Sequence, residues 1–291
     1  MRSNRTIRKG IPQDEVGHVT GHMTERWDPA DYHKYSYPQY AFALALVERL
    51  RLQGTERILD LGCGDGKVTA ELAARVPHGS ALGIATSADM IAFARQMFPA
   101  SAYPNLSFRH GDAAKITFRR EFDVVVSLAC LHWVDDLATA LQGIKRSLVP
   151  DGRFAAQLMA KPNATAESQL PLRSARKEIM DRPAWKPYFE EFKQRRARSA
   201  DEYKRLLLDA GFVLRRFEFV TEEVTHPSAD ALKGCARSTW HRYTDRIPAK
   251  KRDAFLEEVV QRCIELYSPD RSSRIRVRMS ILEVEATVAG N

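Results

Sequence analysis

Residues Arg57–Val68 read RILDLGCGDGKV, and this stretch decides how the rest of the chain is read. Ile58, Leu59 and Leu61 form a short apolar run of the kind found in a strand buried on both faces. Gly62, Gly64 and Gly66 interrupt it, and Val68–Val76 (VTAELAARV) resumes at helical spacing. Glycine at every second position lets the backbone turn sharply and approach a ligand more closely than a Cβ permits. The helix behind the loop turns its free N–H groups and positive dipole end toward that ligand, which favours an anionic group.

The spacing narrows the ligand. A dinucleotide fingerprint needs glycine at relative positions 1, 3 and 6, and here the third position is Lys67. NAD is therefore disfavoured. Acid-x-Gly-x-Gly-x-Gly, led by Asp60, instead resembles the first motif of class I S-adenosylmethionine-dependent methyltransferases. An ordinary glycine-rich strand–helix turn is the competing reading.

Downstream, the pattern repeats. Ser80–Ala85 (SALGIA) is a second short strand and Ser87–Phe98 a helix with Ser87 as N-cap. Asn105–Arg109 is a third strand ending at His110-Gly111-Asp112, and Phe122–Leu128 (FDVVVSL) a fourth. Leu131–Leu148 alternates as a helix, stopped by Pro150-Asp151-Gly152, before a fifth strand at Arg153–Met159. Buried strands alternating with helices every 25 residues or so predict a parallel, doubly wound sheet. Its ligand crevice lies at the carboxyl ends of the strands.

The stretch 161–210 breaks this rhythm, with Pro162, Pro171, Pro183 and Pro187 as punctuation and aromatics at Trp185, Tyr188, Phe189 and Phe192. It reads as a helical cap inserted over the sheet. Phe212–Thr221 is a sixth strand, and Ala229–Tyr243 and Ala249–Tyr267 are helices. Arg274–Val288 is apolar at 275, 277, 279 and 281, then shifts phase to 282, 284, 286 and 288. Such a shift predicts a bulge.

Upstream, Met1–His22 is polar and aperiodic and reads as a flexible leader, with order beginning near Trp27. Its basic start lacks the apolar core of a secretory signal, although a mitochondrial-type reading stays open. In WDPADYHKYSYPQY, Trp27, Tyr32, Tyr35, Tyr37 and Tyr40 serve either helix packing or a lid over the crevice. The chain has 291 residues, 44% of them hydrophobic, with no apolar run long enough to span a bilayer. Cys63, Cys130, Cys235 and Cys263 lie far apart, which fits neither a disulfide framework nor a zinc site and suggests a cytoplasmic protein. Of the net charge of +8, residues 161–291 supply 6, as 26 basic against 20 acidic. That excess suits nucleic acid, an acidic small molecule or plain solvation.

Four features carry a closer resemblance: WDPADY at the start, LDLGCGDG, GDAAKI at Gly111–Ile116, and SLACLHWVDD at Ser127–Asp136. On these the chain resembles class I methyltransferases, and within them it is similar to the trans-aconitate methyltransferase group and its carboxylic-acid-methylating relatives, including juvenile hormone acid methyltransferases. The resemblance implies an α/β fold. It is a doubly wound, Rossmann-like, mostly parallel seven-stranded sheet with an antiparallel last strand and a helical cap insertion. The implied organisation is a leader at 1–22, a cofactor-binding core at 23–160, the cap at 161–210, and C-terminal elements at 211–291 completing the sheet and substrate side.

Carried over by position, the resemblance implies that S-adenosyl-L-methionine is held by Tyr32, Asp60, Gly62, Cys63, Gly64, Ala85, Thr86, Met90, Asp112, Ala113, Leu128 and Cys130. Within that set, Asp60, Gly62 and Gly64 face the methionine end, while Asp112 and Ala113 face the adenine. Gln39 and Trp133 would orient an acceptor carboxyl, and His132 would line the methionine side. Each has a plainer role open to it: Asp112 in a turn, His132 as a helix N-terminal hydrogen-bonding group, Trp133 as core. One position departs from the family. The second strand ends in Ala85, where an acidic residue normally grips the ribose, so either Thr86, Ser87 or Asp89 compensates, or the cofactor is held weakly, or the residue has been altered.

The expected activity is methyl transfer to a small-molecule acceptor, at oxygen of a carboxylate or hydroxyl, without a metal. The acceptor is anionic if an arginine enters the crevice, with Lys193, Arg195, Arg196, Arg198, Arg274, Arg276 and Arg278 as the candidates. A nucleic-acid methyltransferase is the first alternative, weakened because the fourth strand ends in SLACLHW and not in an NPPY-type motif. A non-catalytic cofactor binder is the second. A monomer or weak dimer without membrane contact completes the expectation.

Overall fold

The computed structural model describes residues 27–161, 171–192, 197–267 and 274–288. The leader at 1–22 and the basic residues Lys193, Arg195 and Arg196 lie outside them. Strands β1 (Arg57–Leu61), β2 (Ser80–Ala85), β3 (Leu106–His110), β4 (Phe122–Leu128) and β5 (Leu148–Leu158) pair in parallel. The remaining two are β6 (Phe212–His226) and β7 (Ile275–Val288), and β7 runs antiparallel to both β5 and β6. The spatial order is β3-β2-β1-β4-β5-β7-β6. The sheet is thus mostly parallel and seven-stranded, as the repeat of buried strands and helices implies.

Both faces are covered, which explains why the strands read as continuous apolar runs. On one face Leu59, Leu61, Val125 and Phe154 meet Leu141 and Ile144 of α5 (Leu137–Ser147), together with Tyr203 and Leu207 from the helix Ala200–Asp209. On the other, Ile58, Val124 and Val126 meet α2 (Tyr37–Arg49), α3 (Lys67–Arg75) and α4 (Ala88–Met97) through Leu46, Leu72 and Ile91. Adjacent strand residues serve opposite layers, as a two-residue period requires.

A third apolar cluster stands apart. Ala175 and Ile179 from the helix Pro171–Met180 pack with Trp185, Tyr188 and Phe189, with Leu232 and Phe255 of the later helices, and with Ile275 and Val277 of β7. The helical lobe therefore joins residues 171–192 to residues 229–267. Helix Ala200–Asp209 packs on the sheet.

This arrangement accounts for the phase shift in β7. Ile275 and Val277 face the helical lobe, whereas Leu282, Val284, Ala286 and Val288 face the main core from the opposite side of the strand. The covering layer changes sides, so the apolar phase changes without an inserted residue. Pairing of β7 with β5 runs unbroken from Leu282 to Thr287, and the bulge lies in β6 between Leu214 and Arg216. The stretch expected as one helix from Leu131 also divides. Leu131–Trp133 forms a single 3-10 turn, and α5 begins at Leu137, where Asp136 accepts the Thr139 N–H at 3.0 Å.

Candidate active site

The crevice is built at the carboxyl ends of β1, β2, β3 and β4, where the strand order reverses between β1 and β4. After β1 the chain turns through three glycines, all with positive φ: Gly62 at 88°, Gly64 at 54° and Gly66 at 82°. The three do different work. A Cβ at Gly62 would meet the Cys130 Cβ at 2.2 Å, so this glycine lets β1 and the end of β4 close together. A Cβ at Gly64 would meet only the Tyr32 ring, at 3.5 Å, and otherwise open space. At Gly66 it would strike Phe108 and Ala94. Gly62 and Cys63 both donate their N–H groups to the Ile84 carbonyl, locking the loop onto β2.

Asp60 is fully enclosed beneath this loop. Its Oδ2 accepts the Thr69 hydroxyl at 2.7 Å. Burial, partly offset by Thr69, raises its pKa to about 6. The neighbouring thiols are raised too, Cys130 to about 12 by burial, so both Cys63 and Cys130 stay protonated.

A second network, which the sequence does not announce, ties the first helix over the loop. Asp65 is buried, and its Oδ2 accepts from His33 Nδ1 at 2.7 Å and lies 3.5 Å from Lys67 Nζ. Lys67 also donates to the His33 carbonyl at 3.3 Å and to the Ser36 hydroxyl, and it sits over the rings of Tyr32 and Tyr40. These contacts hold α1 (Pro29–Tyr35), which Asp28 caps through the Ala30 and Asp31 N–H groups. Tyr32 is thereby set above Gly64, its hydroxyl pushed well above the usual tyrosine range by burial and then by Asp65. Trp27 packs edge-on against Tyr32 at 5.5 Å and against His241 at 4.8 Å. The hint in the sequence is an acid between two glycines, with a lysine directly after the second, and a tyrosine-rich segment upstream.

The other expected residues are distributed along the rim. Ala85 ends β2 and is 9% exposed, Thr86 is exposed with its carbonyl 3.0 Å from His110 Nε2, and Ser87 spends its oxygen capping the Met90 N–H. Met90 is buried under α4, and Leu128 is half-buried at the end of β4. Asp112 accepts the Ala114 N–H at 2.9 Å and caps a 3-10 turn, with Ala113 buried in the core below. His132 Nδ1 accepts a long bond of 3.5 Å from the Met159 N–H, and its ring lies 5.1 Å from that of Trp133. Gln39 is half-buried, and its Oε1 is enclosed without a hydrogen-bond partner.

Most of the arginines named from the sequence are not aimed inward. Arg274, Arg276 and Arg278 are exposed along β7, Arg276 reaching Glu223 at 3.4 Å. Arg198 donates to the carbonyls of Val134 and Asp135, bracing the loop after the 3-10 turn. A depression lined by Arg49, Arg51, Arg215 and Arg216 lies toward the amino ends of the parallel strands, and Arg49 and Arg216 both reach the buried Glu283. It is separate from the crevice.

Residues 58–152, the span from β1 into β5, match the family described as a methyltransferase domain. An uncharacterised methyltransferase of Schizosaccharomyces pombe, C70.08c, is 32% identical over 211 residues, covering 69% of this chain and 75% of that protein. The chain belongs to the class I S-adenosylmethionine-dependent methyltransferases.

Among its relatives, the trans-aconitate 2-methyltransferase of Methylobacterium nodulans is 35% identical over 132 residues, 45% of this chain and 49% of that protein. The protein of the same name from Acidovorax sp. is 28% identical over 245 residues, 83% of this chain and 90% of that protein. In several such matches the chain spans about half the length of the relative. Among solved structures, YcgJ of Bacillus subtilis superposes with a TM-score of 0.59 at 14% identity, covering 87% of this chain and all of that one, which speaks to the fold.

Membership of this methyltransferase family implies S-adenosylmethionine as methyl donor, and the residues present fit it. A buried Asp60 carboxylate without a cationic partner faces the loop, and the space at Gly64 is the kind a Cβ would fill. Among the described residues no group of metal-binding side chains occurs, and no helix is long and apolar enough to cross a membrane.

Proposed function

We propose that this chain transfers a methyl group from S-adenosylmethionine to oxygen of a small-molecule acceptor, a carboxylate first. The observation that carries the reading is the crevice itself: the glycine loop lies over the buried Asp60, and at Gly64 an added Cβ would meet only the Tyr32 ring, at 3.5 Å. The names of the trans-aconitate relatives support a carboxylic acid as acceptor.

When bound, the cofactor supplies an electrophilic methyl group on a sulfonium whose departure leaves a neutral thioether. An ionised carboxylate needs no base to accept it, so the protein's part is alignment and exclusion of water. Trp27 and Tyr32 shield the loop from solvent, and Asp65 and Lys67 hold them there. Gln39 and Trp133 are the positions that would orient the acceptor, with the His132 ring 5.1 Å from that of Trp133.

The test is methyl transfer from isotope-labelled S-adenosylmethionine to a panel of carboxylic acids and phenols, trans-aconitate among them, read by mass spectrometry. A labelled methyl ester is expected. Transfer to RNA alone, abolished by moderate salt, would replace this reading with a nucleic-acid one.

A further inference from the structure

Arginines of the helical lobe stack on aromatic rings, Arg246 over that of Phe192 and Arg176 over two. Arg176 sits in the helix Pro171–Met180, beside Ala175 and Ile179, which are fully buried. Its guanidinium carbon lies 3.9 Å from the centre of the Tyr243 ring and 4.7 Å from that of Trp240. Its Nε is enclosed without a hydrogen-bond partner among the described residues. Burial holds its pKa below the ordinary guanidinium value, and the titratable groups acting on it are the Tyr243 phenol, which raises it, and Arg173, which lowers it. No carboxylate among the described residues pairs with it. Elsewhere in the lobe Arg182 meets Glu258, Arg237 meets Asp31, Arg252 meets Asp245 and Arg262 meets Glu178.

Arg176 is half-buried, and a guanidinium partly withdrawn from water without an anion carries a desolvation cost. Stacking against aromatic faces relieves part of that cost and fixes the plane of the group, while its edge keeps the donor fork that suits a carboxylate. The site is also connected to the crevice. Trp240 leads directly into His241, whose ring packs on Trp27; Trp27 packs on Tyr32, and Tyr32 lies above Gly64. Arg176 is therefore linked to the cover of the glycine loop through the Trp240–His241 backbone and the ring contacts of His241, Trp27 and Tyr32.

We propose that Arg176, oriented by Trp240 and Tyr243, anchors an anionic group of the acceptor and so selects acids that carry a carboxylate in addition to, or in place of, the one methylated. The proposal rests on the methyl-transfer reading of the crevice. It assigns to Arg176 the anion-binding part that the sequence offered, if one entered the crevice, to Lys193, Arg195, Arg196, Arg198, Arg274, Arg276 and Arg278.

The experiment is calorimetric titration of the full chain with mono-, di- and tricarboxylates, trans-aconitate among them, with and without saturating S-adenosylhomocysteine. Wild type, Arg176→Met, Arg176→Gln and Arg176→Lys are compared. The expected result is binding of at least one acid by wild type and a loss of about tenfold or more in Arg176→Met and Arg176→Gln. Arg176→Lys should lose less, the fully esterified acid should not discriminate among the four proteins, and affinity for S-adenosylhomocysteine should be unchanged in all. Acid binding by Arg176→Met equal to wild type, or a lowered melting temperature with no change in acid binding, would make Arg176 a packing residue and overturn the proposal. Wild type binding none of the acids would overturn it as well. Failure of the methyl-transfer reading shows separately, as absent S-adenosylhomocysteine binding, while the titrations without it still report on Arg176.

Discussion

Gly62 and Gly64 stand two positions apart in one loop, yet the structure separates their roles. Gly62→Ala places a methyl group against Cys130 at a positive φ, and the expected cost is about 3 kcal/mol or more. Truncating Cys130 to alanine brings no relief, because its Cβ is the atom in the way. Gly64→Ala meets only a ring edge at 3.5 Å, so it should cost about 1–2 kcal/mol for the backbone alone. Urea unfolding of the two variants checks this order, and the reverse order would mean the loop is misplaced. Asp60 carries a pH prediction. Its carboxyl titrates near 6 in the fold against 3.8 ordinarily, so the stabilisation linked to its proton is complete below about pH 4 and lost as pH rises through 6. Asp60→Asn should then exceed wild type in stability at pH 8 by up to about 3 kcal/mol, a gain absent at pH 4; the same offset at both pH values would contradict it. Ala85 has no carboxylate to offer a ribose, and Ser87 is spent on its helix. Ala85→Asp should therefore tighten S-adenosylhomocysteine binding about ten- to hundredfold, and an unchanged affinity would mean neighbours already serve.

At the scale of elements, the clamp of α1 to the glycine loop is what turns a nucleotide-binding turn into a covered site. Asp65 is its centre, holding His33 and Lys67 at once. Asp65→Asn removes the charge from these bonds, each worth about 1.5–3 kcal/mol. Amide exchange across residues 29–35 should quicken while that of β1 stays slow, and equal quickening in both would mean Asp65 supports the core and not the lid. The strand–helix rhythm and the glycine loop were legible in the sequence because buried parallel strands and obligatory glycines leave local patterns. The clamp was not, since Asp65 and Lys67 look like solvated loop residues until α1 arrives. The bulge was misplaced for a related reason: a shift of apolar phase in β7 records which layer covers it, and the sequence does not show the layers. Arg176 was missed because nothing local distinguishes it from the charged residues around it on an amphipathic helix.

Across the whole molecule, residues 27–160, with 14 basic and 14 acidic side chains, form the glycine-loop crevice, and the basic residues 161–291 supply the helical lobe. The lobe draws on two separated stretches, 171–192 and 229–267, and on the outer end of β7, so on the proposed reading the acceptor side would be assembled from parts distant in sequence. That is why the loop was readable from one motif and the lobe was not. The most direct test is calorimetric titration of S-adenosylhomocysteine into wild type and Gly64→Ala, with melting temperatures taken on both. The crevice described here predicts binding by wild type and none by Gly64→Ala, with the two proteins melting within a few degrees of each other. No binding by wild type, or equal binding by both, would contradict the placement of the cofactor at this loop.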